Sequence, residues 1–223
     1  MTPSPKGAAR WYFTVMGAIG ALFILVGFWP TYYGPLLAGG VTVHSPFYHV
    51  HGLVSIGWMG LFVVQAVLAA TKRTRTHIAV GKRGFVLAVL MAAFGVAMVV
   101  YFLLRIQAKD GIPSFANGLY RSSSPVADII QFSILIALGW RNRKRHAFHK
   151  RYMLFATIAV LPPGVGRMGW LLGPWSLEML YSPMLLAVAA YDLWTDRKVH
   201  PATWVGLALL IPRVLLEASY KVF

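Results

Sequence analysis

A chain of 223 residues that is 58% hydrophobic and 12% charged, with mean hydropathy +0.63, lies outside the range of soluble domains, in which about a quarter of residues are charged. Its 21 Lys and Arg against 6 Asp and Glu give a formal net charge of +15; in a polar chain that excess would indicate nucleic acid, but here the apolar fraction indicates a bilayer and no nucleic-acid partner. The absence of cysteine excludes disulfides, thiolate catalysis and Cys-ligated zinc or iron–sulfur clusters.

The first apolar stretch runs from Trp11 to Trp29 without the short apolar core and small-residue cleavage site of a signal peptide, so it reads as a retained span. Seven stretches approach the roughly 20 residues that a spanning helix needs: about 11–30, 47–70, 84–104, 125–140, 152–172, 176–194 and 201–220. The expected fold class is therefore an all-α integral membrane bundle of seven transmembrane helices forming one domain over 1–223. The fourth stretch is the least apolar, because Asp128 and Gln131 lie within it. Fifteen of the 21 basic residues fall on one side of this topology, among them Lys72 to Arg83 and Arg141 to Arg151. Cytoplasmic loops accumulate Lys and Arg, so the N-terminus is expected in the cytoplasm and the C-terminus outside. Anionic lipid headgroups would be the partner of that basic face. The longest external connection, Arg105 to Pro125, reads as a mobile loop or a lid over the outer face.

The six acids carry more information than the cations, because an ionisable group at membrane depth is costly and faces a cavity or a partner. Asp128, Glu178 and Glu217 sit at the external ends of spans four, six and seven, a common level reached only because consecutive spans run in opposite directions. Arg167 and Arg213 join them. Arg213 and Glu217 have the i, i+4 spacing of an intrahelical ion pair, which leaves Asp128 or Glu178 as the expected partner of Arg167. Span five is interrupted there by Pro162-Pro163-Gly164-Val165-Gly166, and a broken helix at membrane depth lies against protein or a water-filled cavity.

His49 and His51 open span two at the same level, and His44 lies just before it. Two residues apart on a helix, His49 and His51 point about 200° apart, so each pairs more easily with a carboxylate from another helix than with the other. Histidine with Asp or Glu suits a transition metal such as zinc or iron. The candidate cofactor and metal ligands are thus His49, His51, Asp128 and Glu178, with Arg167, Arg213 and Glu217 balancing charge or holding an anionic substrate. On the basic side His77, His146, His149 and His200 form a second group; two of them from different helices could ligate haem, although the surrounding Lys and Arg oppose a bound cation and contact with anionic lipid headgroups explains the same composition. Gln65 and Gln131 read as interhelical hydrogen-bond partners. A retinal lysine, a phosphate loop and the histidine boxes of zincins or di-iron hydroxylases are absent.

The segments Phe28-Trp29-Pro30-Thr31-Tyr32-Tyr33-Gly34-Pro35-Leu36, His49-Val50-His51-Gly52 with Trp58 and Gln65, the His77 to Gly81 hairpin, His149-Lys150-Arg151-Tyr152-Met153 and His200-Pro201-Ala202-Thr203 together resemble a family of uncharacterised bacterial polytopic membrane proteins. The likeness spans nearly the whole chain. It implies the bundle architecture and a bacterial inner-membrane location, and brings no catalytic residue with it. The helix start at His149 is also similar to one in small membrane proteins implicated in cytochrome oxidase assembly. The functional expectation is an externally open polar pocket holding a metal or redox cofactor in a respiratory or cofactor-assembly role. A transporter gated at the Pro162–Gly166 break, or a structural subunit of a larger membrane complex, are the alternatives.

Overall fold

In the computed structural model the backbone is described for residues 5–39 and 46–222, and the side chains for the same residues other than 5–8, 106–123, 216 and 219–222. All regular structure among them is helical. Helix α1 (Pro5–Phe28) continues through a π-helical turn (Trp29–Tyr33) and a short α turn (Gly34–Leu37). It is followed by α2 (Pro46–Ala70), α3 (Thr74–Arg141), α4 (His146–Ala159), α5 (Ser176–Asp196) and α6 (Pro201–Val222). Between α4 and α5 lie three single turns, Pro162–Val165, Gly166–Met168 and Gly169–Leu172. His44 lies outside the described residues.

Four helical stretches are long and apolar enough to cross a membrane: Ala9–Leu37, Pro46–Ala70, Thr74–Arg105 and His146–Leu172. The chain is thus a multi-pass membrane protein. Pro201–Leu215 is a shorter apolar helix, and α5 carries three carboxylates, Glu178, Asp192 and Asp196.

α3 is a helical run of 68 residues, yet the rings of Phe85 and Trp140 lie 4.3 Å apart, and a Cβ on Gly95 would sit 3.0 Å from Ile129. In a straight helix residues 85 and 140 would be roughly 80 Å apart at 1.5 Å per residue. The limbs Thr74–Arg105 and 124–141 are therefore antiparallel neighbours. The reversal falls in the stretch expected as an external loop; its backbone is helical, and the side chains of 106–123 are outside the described set.

The fifth apolar stretch is the hub. In its most apolar window 61% of residues are buried, against 22, 28 and 11% for the other three candidate spans. Arg151, Tyr152 and Leu154 to Ala159 are all buried, the pattern of a helix surrounded by others. The outer helices instead present Leu22, Leu53, Val86 and Leu104 outward, an apolar exterior that only lipid or another membrane protein can cover. The interrupted segment after α4 packs closely against α1. A Cβ on Gly27 would lie 2.0 Å from the Gly164 carbonyl oxygen, and one on Gly164 would lie 2.8 Å from Ile24 Cδ1. α1 and the Pro162–Val165 turn therefore touch backbone to backbone, a close approach that only small residues permit.

Candidate functional site

Two clusters of polar side chains occupy opposite ends of the bundle. At the end predicted to be external, Arg213 on α6 is only 7% exposed and donates from Nε to Asp128 Oδ1 (3.2 Å) and from Nη1 to Glu217 Oε2 (2.7 Å). Asp128, on the second limb of α3, is likewise buried. One turn further along that limb, Gln131 Nε2 donates to the Leu209 carbonyl (2.8 Å), so α3 and α6 are held together twice. The antiparallel topology does bring Asp128, Arg213 and Glu217 to one level.

Arg167 and His49 have partners outside this cluster. Arg167 is exposed, donates to the Pro163 carbonyl (2.6 Å) and lies 4.4 Å over the Phe28 ring. It does not take the Asp128 carboxylate, because Arg213 already does. The Tyr32 hydroxyl meets His49 Nδ1 at 2.8 Å, a contact carried by the π-helical turn that Pro30 opens in α1. The buried Nδ1 of His51 has no partner among the described residues, and Glu178 makes an interaction of its own. Among the described residues there is no group of three or more His, Cys, Asp or Glu that could hold a metal ion.

The basic end is built differently. Asp192 on α5 is fully buried and Arg151 on α4 is 1% exposed. Arg151 donates to Asp192 Oδ1 from Nε (2.8 Å) and Nη2, to Asp196 from Nη2 (3.1 Å), and to the Ala147 carbonyl from Nη1 (2.8 Å). Asp192 Oδ2 accepts the backbone N–H of His200 (2.9 Å) and the Thr203 hydroxyl. One carboxylate thus ties α4 and α5 together and caps the start of α6, with all its lone-pair directions occupied. The left-handed backbone of Arg197, φ 57°, ends α5 and turns the chain back toward it.

His200 completes this cap: the Ala202 N–H donates to its Nδ1 (3.1 Å), so that nitrogen must be unprotonated. Burial, followed by the nearby Arg151 charge, pulls its pKa below the usual 6.5, outweighing Asp192 and Asp196. The unfolded chain then binds the proton more readily, and stability is lost as pH falls below about 6.5. In His200→Asn an amide oxygen can accept the same N–H at any pH. Denaturation between pH 8 and pH 5 is expected to show a smaller loss in this variant than in the wild type; equal slopes would contradict the cap.

Beside this tie opens a cavity of about 1180 Å³ between α1, α2, both limbs of α3, α4 and α5, at the upper end of small-molecule sites. Small residues make the space, notably Ala66, Ala69, Gly81 and Ala88, while Phe62 and Phe85 provide apolar walls. Arg10, Lys82, Arg143, Lys144 and Lys150 also line it, with Asp196 the only acid among the lining residues. Two lining side chains carry buried polar atoms with no partner among the described residues: Trp58 Nε1, on a residue 2% exposed, and both amide atoms of Gln65. Buried polar groups are normally paired, so these are donors and an acceptor in need of a ligand or water.

His77 and His149 also line this space, with ring centres 6.3 Å apart and planes nearly perpendicular. His77 Nδ1 faces the Gln65 carbonyl (3.2 Å) and His149 Nδ1 faces the Gly139 carbonyl (2.9 Å). A carbonyl only accepts, so both Nδ1 atoms carry the hydrogen, which leaves Nε2 as the atom of each neutral ring that can bind a metal. His146 is an exposed lining residue, while His200 packs against Phe148. The four basic-side histidines therefore divide into one facing pair and two with other surroundings.

Sequence reasoning missed Asp192 and the cavity. The rule that singled out Asp128 applies equally to Asp192, which lies in the apolar run ending at Trp194. No protein-family model, curated protein or solved structure matches the chain.

Proposed function

We propose that this membrane protein holds an anionic, redox-active cofactor in the cavity at its basic end, in a respiratory or cofactor-assembly role. The bundle crosses the bilayer seven times, with the basic end and N-terminus on the cytoplasmic side of a bacterial inner membrane. The observation that carries the reading is the cavity: apolar walls, five lining cations against one acid, and the unpartnered Trp58 and Gln65 atoms. The charge distribution supports the orientation. The seat lies at this end because the Asp128, Arg213 and Glu217 cluster is occupied by its own ion pairs. The break at Pro162–Gly166, which motivated a transporter reading, packs backbone to backbone against Gly27 of α1.

Protein purified from membranes in mild detergent is expected to carry a chromophore that survives gel filtration, seen by absorption and identified by mass spectrometry. In Ala69→Trp, which fills part of the cavity, its stoichiometry should fall at least tenfold. Wild-type protein that carries no chromophore and takes up no added haem, flavin or quinone would overturn the proposal.

A further inference from the structure

We infer that His77 and His149 are the two axial ligands of an iron porphyrin bound in the basic-end cavity. This deepens the cofactor reading above and rests on it. Four observations converge, the first being the ring separation. Imidazole nitrogens bind first-row metals at roughly 2.0–2.1 Å, and the ring centre lies about 1.1–1.2 Å behind Nε2. Two rings trans across one ion therefore have centres about 6.2–6.5 Å apart, whereas a tetrahedral ion draws them to about 5 Å. The observed centre separation of 6.3 Å matches that expected of a trans pair.

The second is the tautomer. A ligating histidine generally donates its other ring N–H to a carbonyl or carboxylate, which fixes its orientation and raises its basicity. Both His77 and His149 do so, each to a backbone carbonyl on a different helix. The third is the ligand count. Zinc requires three or four protein ligands, and no such group exists among the described residues; a porphyrin supplies four nitrogens and needs only an axial pair.

The fourth is charge. Arg10, Lys82, Arg143, Lys144 and Lys150 oppose a bare dication, but an iron porphyrin with ionised propionates is anionic in both oxidation states. The same cations that argue against a free metal then attract the propionates. The small residues of α2 and α3 leave room for a flat macrocycle, and Phe62 and Phe85 supply the apolar walls.

The test uses the full chain purified in detergent from cells supplied with a haem precursor, and in parallel the same protein titrated with hemin. The wild type is expected to show one haem per chain with a six-coordinate, low-spin spectrum in both oxidation states. His77→Ala and His149→Ala should each lose at least tenfold in haem retention, or give a five-coordinate form that binds carbon monoxide and returns to low spin on addition of imidazole. His49→Ala, at the opposite end of the bundle, should keep the wild-type spectrum and stoichiometry. Imidazole rescue separates a missing ligand from a chain that fails to fold. A wild type that binds haem in a high-spin form, or low-spin spectra that persist in both variants, would overturn the axial pair and leave the cofactor cavity standing. Stoichiometric flavin or quinone with no iron would do the same. Protein that binds none of the three probes removes both proposals.

Discussion

Asp192→Ala is expected to destabilise the bundle by about 3–5 kcal/mol, because it leaves the buried Arg151 guanidinium with only the half-exposed Asp196 carboxylate. The variant also exposes an unpaired N–H at His200 and an unpaired hydroxyl at Thr203 at the start of α6. Denaturant titration of helical content in detergent measures the loss. Asp196→Ala is the control: Asp196 contacts the same arginine but is 48% exposed, and its removal should cost less than about 1 kcal/mol. The double variant Arg151→Met with Asp192→Asn removes both charges while keeping an acceptor for the α6 cap, and should recover more than half of the loss. Equal effects of Asp192→Ala and Asp196→Ala would show that burial does not set the strength of this tie.

Gly27→Ala should cost about 1–3 kcal/mol, the usual range for an overpacked core, because its methyl would overlap a main-chain oxygen that no rotamer change can move. Gly60→Ala makes the comparison, since a Cβ there meets nothing within 4 Å. Gly60 lies inside α2, so this change should be neutral or stabilise by up to about 1 kcal/mol through helix propensity. The two alanines differ only in what lies beyond the methyl. If both are neutral, α1 does not cross the Pro162–Val165 turn as closely as the structure places it.

The helices were legible in the sequence because spanning segments are long, apolar and separated by charge, and their alternation brought Asp128, Arg213 and Glu217 together before any coordinates. Arg167 was misplaced for a local reason: its side chain folds back on the broken segment, where it donates to the Pro163 carbonyl and lies over Phe28. The Tyr32 contact to His49 depends on the π-turn at Pro30, whose widened register no periodicity reveals. The cavity was invisible because it is made of missing volume. Ala66, Ala69, Gly81 and Ala88 look unremarkable singly, and only the pairing of α2 with the first limb of α3 turns them into a space. The histidines illustrate the same limit: four basic-side rings were found, but which two face one another depends on how α3 and α4 rotate.

The buried hub helix also constrains how the chain is made. Arg151 is synthesised 41 residues before its carboxylate partner Asp192. A buried arginine without its carboxylate is costly to hold in place. Until Asp192 arrives, α4 is best sheltered by α1, α2 and α3 with its basic end at the interface, and α5 and α6 then close over it. The last fifth of the chain therefore acts as a lock on helices already in place, and a ribosome-bound intermediate ending before α5 would have every apolar wall of the cavity except those of α5, but an arginine still waiting for its partner.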